Sequence, residues 1–137
     1  MSDFVLDASV SLAWFLPASN EQDRYADKVL TLIQNGAVPA VPSLWVQEMA
    51  ARLLRARRSR EIPLATFNQA VKIVEDMPYE THHIAYSLPQ LIALAKAYNL
   101  QGYDTVYVDL AQRLSIPVAT VDKGIRTACR NHAVDLI

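Results

Sequence analysis

Gly102-Tyr103-Asp104-Thr105-Val106-Tyr107 is the stretch that decides how this chain is read. It puts a carboxylate in the first turn of an expected helix, ahead of an apolar stripe at Val106, Tyr107, Leu110, Ala111 and Leu114. These positions share one face of a 3.6-residue period, so the helix should pack on a core. Aspartate at a helix start is ordinary capping chemistry. Three further carboxylates give it a second meaning, because Asp7, Glu48 and Asp122 also stand at element boundaries. The reading is that the four converge to hold a divalent cation.

Toward the C-terminus, Ile116 to Val121 reads as a strand, interrupted near its start by Pro117 and ending at Asp122. A last helix is expected from about Lys123 to Asn131, then an edge strand from Val134 to Ile137. Toward the N-terminus, Ser87 should cap a helix with Pro89 in its first turn. Tyr79 to Ile84 is a short strand or extended connection, and Pro63 opens a helix over roughly Leu64 to Glu75. Ser43 is expected to cap the helix before it. That helix carries Glu48 in its second turn and ends in Arg52, Arg55, Arg57, Arg58 and Arg60, charges that suit a helix C-terminus. Val38 to Val41 looks like a strand, but Pro39 and Pro42 argue against a central one. Asn20 should cap a helix that stops at Gly36, and Ser9 to Leu16 form a short helix. Phe4-Val5-Leu6 reads as a buried parallel strand with Asp7 at its C-terminal end.

Apolar strands alternating with helices predict an α/β fold with a mainly parallel central sheet. The length of 137 residues suits one domain over 1–137. In such sheets, sites form at the C-terminal ends of the strands. Asp7 and Asp122 both occupy such ends. Asp104 opens the helix leading into the second of those strands, and Glu48 lies near the start of its own helix. Clustered carboxylates repel one another and take up protons unless a cation offsets them. Hard oxygen ligands without a nearby His or Cys select Mg²⁺ or Mn²⁺ over zinc. Such an ion activates water and neutralises charge developing on phosphate oxygens.

A net charge of -1 gives no bulk attraction to nucleic acid, so contacts must come from local cations or bound metal. The Arg52 to Arg60 cluster is one source. Lys123 and Arg126, just after Asp122, are better placed to touch a phosphate near the metal. The lone Cys129 cannot form an internal disulfide, and the chain shows neither a leader-like start nor a span-length apolar run. The expectation is a cytoplasmic protein with no membrane partner. Asp109 lies about 140° around the helix from Asp104 and is expected to be a surface charge. His82 and His83 point to opposite faces of a strand and receive no catalytic role.

Val5-Leu6-Asp7-Ala8-Ser9, Glu48 some forty residues on, Tyr103-Asp104-Thr105-Val106-Tyr107 with Leu110-Ala111, and Thr120-Val121-Asp122 together resemble a PIN domain of the VapC type. The likeness covers nearly the whole chain. It implies a PIN-like three-layer fold and metal-dependent ribonuclease activity, with Asp7, Glu48, Asp104 and Asp122 as the acidic quartet. Ser9 and Thr120 match the small hydroxyl positions that support the first and last acids. Asp109 departs from the family pattern, which has an apolar or small residue there. VapC-like proteins are toxins of toxin–antitoxin pairs, so the resemblance also implies a small VapB-like antitoxin and a homodimer.

Two other classes compete. A phosphatase working through an aspartyl-phosphate wants a second acid two residues after Asp7, where Ser9 stands; a receiver domain wants an acceptor Asp near mid-chain, yet residues 49 to 60 hold no acid. A catalytically silent PIN-like binding module has no need of all four acids.

Overall fold

The fold is built outward from Phe4–Leu6 (β1), whose three side chains are all buried. In the computed structural model, which describes residues 2–137, β1 pairs in parallel with Pro39–Pro42 (β2) on one side and Val118–Ala119 (β4) on the other. Glu80–His82 (β3) extends the sheet beyond β2, giving the order β3-β2-β1-β4 with every pairing parallel. Parallel neighbours need crossovers. The helices supply them: Ala8–Ala13 (α1), Asn20–Gln34 (α2), Leu44–Arg58 (α3), Leu64–Asp76 (α4), Leu88–Tyr98 (α5), Gly102–Leu114 (α6) and Lys123–Asn131 (α7). This is the α/β architecture expected, a parallel sheet flanked by helices. Among the described residues, no helix is long and apolar enough to cross a membrane.

β2 is a correction. It lies inside the sheet and is buried throughout, despite its two prolines. Each proline stands at one end of the strand, so Ala40 and Val41 keep the central N–H groups of the ladder. β4 is shorter than the strand expected at Ile116 to Val121, although Pro117 still contributes its carbonyl to Val5 N at 2.8 Å. The expected edge strand at Val134 to Ile137 is a single parallel bridge, Val118 to Leu136.

Several helix starts also differ from expectation. Ser19, not Asn20, caps α2 by accepting from Gln22 N. Ser43 has helical backbone angles and makes no capping bond. Ser87 and Gln90 form the reciprocal capping box at α5, with a proline in the first turn.

α6 is more deeply buried than a one-sided stripe requires. Thr105, Tyr107, Val108, Asp109, Leu110 and Ala111 are all buried, because α6 packs on β1, β2 and β4 and also against α5 and α7. Trp45, Tyr107, Phe4 and Leu6 are the largest fully buried side chains. The Trp45 indole N–H donates to Ser11 Oγ at 3.1 Å, so the polar atom of this core aromatic is paired.

Candidate active site at the strand ends

The parallel pairing of Leu6 with Ala119 brings the C-terminal ends of β1 and β4 side by side. Asp7 follows the first strand directly. Its side chain is buried, at 4% exposure, which is unusual for a carboxylate and requires paired oxygens. Ser9 Oγ donates to Asp7 Oδ2 at 2.5 Å, and Thr120 Oγ1 donates to the same oxygen at 2.7 Å. Ser9 Oγ in turn accepts from Val121 N, and Thr120 Oγ1 from Asp122 N. The two hydroxyls therefore clamp the first acid to the segment that carries the last.

Asp122 caps α7, with Oδ2 accepting from Ile125 N at 2.8 Å. Gly124 makes room for this, since a Cβ there would meet that oxygen at 3.2 Å. Asp104 lies in the first turn of α6, whose N-cap is Gln101, and the helix has no side-chain cap. The simple capping role for Asp104 is thus not realised. Glu48, half-buried in the second turn of α3, accepts from the Tyr107 hydroxyl at 2.6 Å through Oε1.

Electrostatics joins the four acids. Burial pushes the Asp104 carboxyl up to about 6, and the charges of Asp122 and Asp7 push the same way. Burial also raises Glu48, with help from Asp7 and Asp104 and against the Tyr107 hydrogen bond. Asp7 is raised by burial and by Asp122, against the hydrogen bonds from Ser9 and Thr120. Asp7, Glu48 and Asp104 thus each feel at least one other acid, although they come from distant parts of the chain.

Hard carboxylate oxygens with unrelieved mutual repulsion are donors that suit Mg²⁺ or Mn²⁺. Among the described residues, no group of three or more His, Cys, Asp or Glu side chains is arranged to hold a metal ion.

A PIN domain family model matches residues 4–131. The chain belongs to the PIN domain family. PIN domains are a family of nucleases and generally bind divalent metals. The fold of this PIN domain is also similar to the crystal structure of PAE2754 from Pyrobaculum aerophilum. That match has a TM-score of 0.67 at 18% identity, over 93% of this chain and 84% of the other. At that identity the likeness speaks to fold alone. Among curated proteins, none matches this chain.

Two residues of this PIN domain were misjudged from sequence. Tyr107, read as part of an apolar stripe and of the motif around Asp104 but given no role of its own, also holds Glu48; its spacing of three from Asp104 was the available signal. Asp109, expected as a surface charge, is buried at 6% exposure. Tyr86 Oη donates to its Oδ2 at 2.5 Å and Arg113 Nε at 2.7 Å, which is what makes its burial tolerable. Lys123 is exposed, whereas Arg126 is half-buried and donates to the Thr120 carbonyl at 2.9 Å.

Proposed function

We propose that this PIN domain is a metal-dependent endoribonuclease, and that it is the toxin of a VapBC-type toxin–antitoxin pair. The observation that carries the nuclease reading is the buried Asp7, knit to Thr120 and electrically coupled to Glu48, Asp104 and Asp122. Asp7, Glu48 and Asp104 would hold Mg²⁺ or Mn²⁺, with Asp122 assisting. The bound ion would supply a Lewis acid that activates water and takes up charge developing on phosphate oxygens.

The chain's own residues set the stage. Ser9 and Thr120 fix the orientation of Asp7, and the Tyr107 hydroxyl fixes one oxygen of Glu48. The Asp122 cap ties the fourth acid to the start of α7. Acids positioned in this way lose little orientational freedom when substrate arrives. RNA as substrate is what the resemblance to VapC-type motifs implies.

The test is cleavage of total RNA with Mg²⁺, Mn²⁺ or chelator, comparing the native chain with Asp104→Ala. Cleavage should need metal and vanish in the variant. A chain that cuts equally well in chelator, or an Asp104→Ala protein at native rate, overturns the reading.

The toxin role predicts that producing the native chain arrests growth and that Asp104→Ala does not. A VapB-like antitoxin would be encoded beside it and would block the acidic site. A homodimer is supported by exposed apolar side chains on α5 and α6. Leu88, Ile92 and Tyr103 are 73%, 47% and 51% exposed, and Tyr103 borders an apolar hollow with Leu91 and Val106. Light scattering of the purified chain at two concentrations tests this.

A further inference from the structure

A concavity adjoins the Thr120-Val121 segment on the side of α7. It is a cleft of about 510 Å³ between the first turns of α2 and the face of α7, lined by Tyr25, Thr120, Lys123, Arg126 and Arg130, with Glu21 as its one acid. Thr120 is the hinge between the two places, since it lines the cleft while its hydroxyl holds Asp7. Arg126 is fixed: it donates to the Thr120 carbonyl, and its guanidinium lies over the Tyr25 ring, 5.5 Å from the centroid. Tyr25 is fixed too, its hydroxyl donating to the Ile137 carbonyl at 3.1 Å. Lys123 and Arg130 are exposed, and among the described residues neither is paired with a carboxylate.

We propose that this cleft is the track along which a single RNA strand leaves the acidic site. Lys123 and Arg130 take its phosphates, and the pinned Tyr25–Arg126 stack offers a planar cation on which a base can lie. The chemistry matches the chain's charge pattern. Acids alone would repel a polyanion, and three cations within one cleft beside them supply the attraction that the net charge of -1 does not. Arginine planes and aromatic rings are the usual platforms for unpaired bases. A cleft of this volume holds a nucleotide or two rather than the breadth of a duplex. The proposal rests on the ribonuclease reading for its substrate.

The experiment is fluorescence anisotropy of a labelled single-stranded RNA oligonucleotide in chelator. It compares the native chain, Lys123→Ala/Arg130→Ala, and a control that removes two exposed lysines elsewhere, Lys72→Ala/Lys96→Ala. All four side chains are exposed, and melting curves check that each protein is folded. The cleft variant should bind roughly tenfold or more weakly, because two charge-assisted hydrogen bonds to phosphate are missing. Its slope of log Kd against log salt should fall by about 1.4, or ~0.7 for each phosphate of a single strand that is no longer neutralised. The control should stay within about threefold of native.

Equal weakening in both variants, or none in either, overturns the cleft. So does a native chain that binds no RNA. Cleavage of the same oligonucleotide in Mn²⁺ is scored separately. A native chain that binds through the cleft but cuts nothing sinks the nuclease reading alone; one that cuts while the cleft variant binds normally sinks the cleft alone.

Discussion

Asp7 and Asp109 are both buried aspartates on well-packed elements, and they answer the same electrostatic problem in opposite ways. Asp109 is neutralised within the chain. Arg113, one turn along α6, and the Tyr86 hydroxyl both donate to it. Asp7 has two hydroxyls for partners and three other acids for neighbours, with no cation in its hydrogen bonds. A buried charge that the chain balances itself is a structural joint. One surrounded by like charges is costly unless something from outside supplies the opposite sign.

The comparison predicts a double dissociation. Asp7→Asn and Asp104→Ala should lower RNA cleavage by roughly 10³-fold or more, the scale of losing a metal-holding or transition-state group. Neither should lower the melting temperature measured in chelator, because each removes repulsion. Asp109→Ala should do the reverse. Stranding the Tyr86 hydroxyl and the Arg113 guanidinium should cost roughly 4–12 °C of melting temperature, while cleavage at 20 °C stays within about threefold of native. A cleavage-dead but fully stable Asp109→Ala protein would erase the distinction between the two aspartates.

Metal and pH give the next largest effect. At about a hundred times its Kd, Mn²⁺ should raise stability by about 2.7 kcal/mol, read as a shift in melting temperature that Asp104→Asn reduces. The pH dependence has a definite sign. Asp104 sits at about 6 in the folded chain against an ordinary 3.8. The folded state therefore keeps a proton that the unfolded state has released, so this group's contribution falls as pH rises from about 4 to about 6. Asp7 and Glu48 shift in the same direction. In chelator, the native chain should lose stability relative to Asp104→Asn across that window. The shift produced by Mn²⁺ should be larger at pH 7 than at pH 5, where protons compete for the same oxygens. A native chain that gains on Asp104→Asn as pH rises would contradict the raised carboxyl.

The sequence made the alternation of strands and helices legible, and with it the rule that puts Asp7 and Asp122 at neighbouring strand ends. It was weaker wherever burial depended on a partner far along the chain. Pro39 and Pro42 argued against an inner strand because local rules count missing N–H groups. They do not show that both absences fall at the strand's ends. Asp109 looked like a surface charge because helical periodicity sees one buried face, whereas α6 is covered by the sheet on one side and by α5 and α7 beyond it. Its neutralising hydroxyl comes from Tyr86, in the connection before α5, which no helical spacing reveals. Tyr107 hid in plain sight: an aromatic in an apolar stripe is read as packing, and its hydroxyl matters only once α3 is laid across it.

Tyr107 offers the finest test of the contrast, with the smallest expected effect. Its ring is fully buried, and Tyr107→Phe keeps that ring while deleting the donor to Glu48. Burial, together with the nearby charges of Asp7 and Glu48, raises the hydroxyl well beyond any working pH, so it stays a donor throughout. Losing one hydrogen bond of about 1 kcal/mol should slow cleavage by roughly three- to tenfold and move the melting temperature by no more than about 4 °C. Tyr98→Phe is the matched control: its hydroxyl donates to Gln112 on the same helix as Tyr107, at 2.5 Å and away from the acids. That variant should cut RNA at the native rate. If Tyr107→Phe also cuts at the native rate, Glu48 is positioned without help from the core. The set of acids awaiting an outside charge then shrinks to those held by Ser9, Thr120 and the two helix starts.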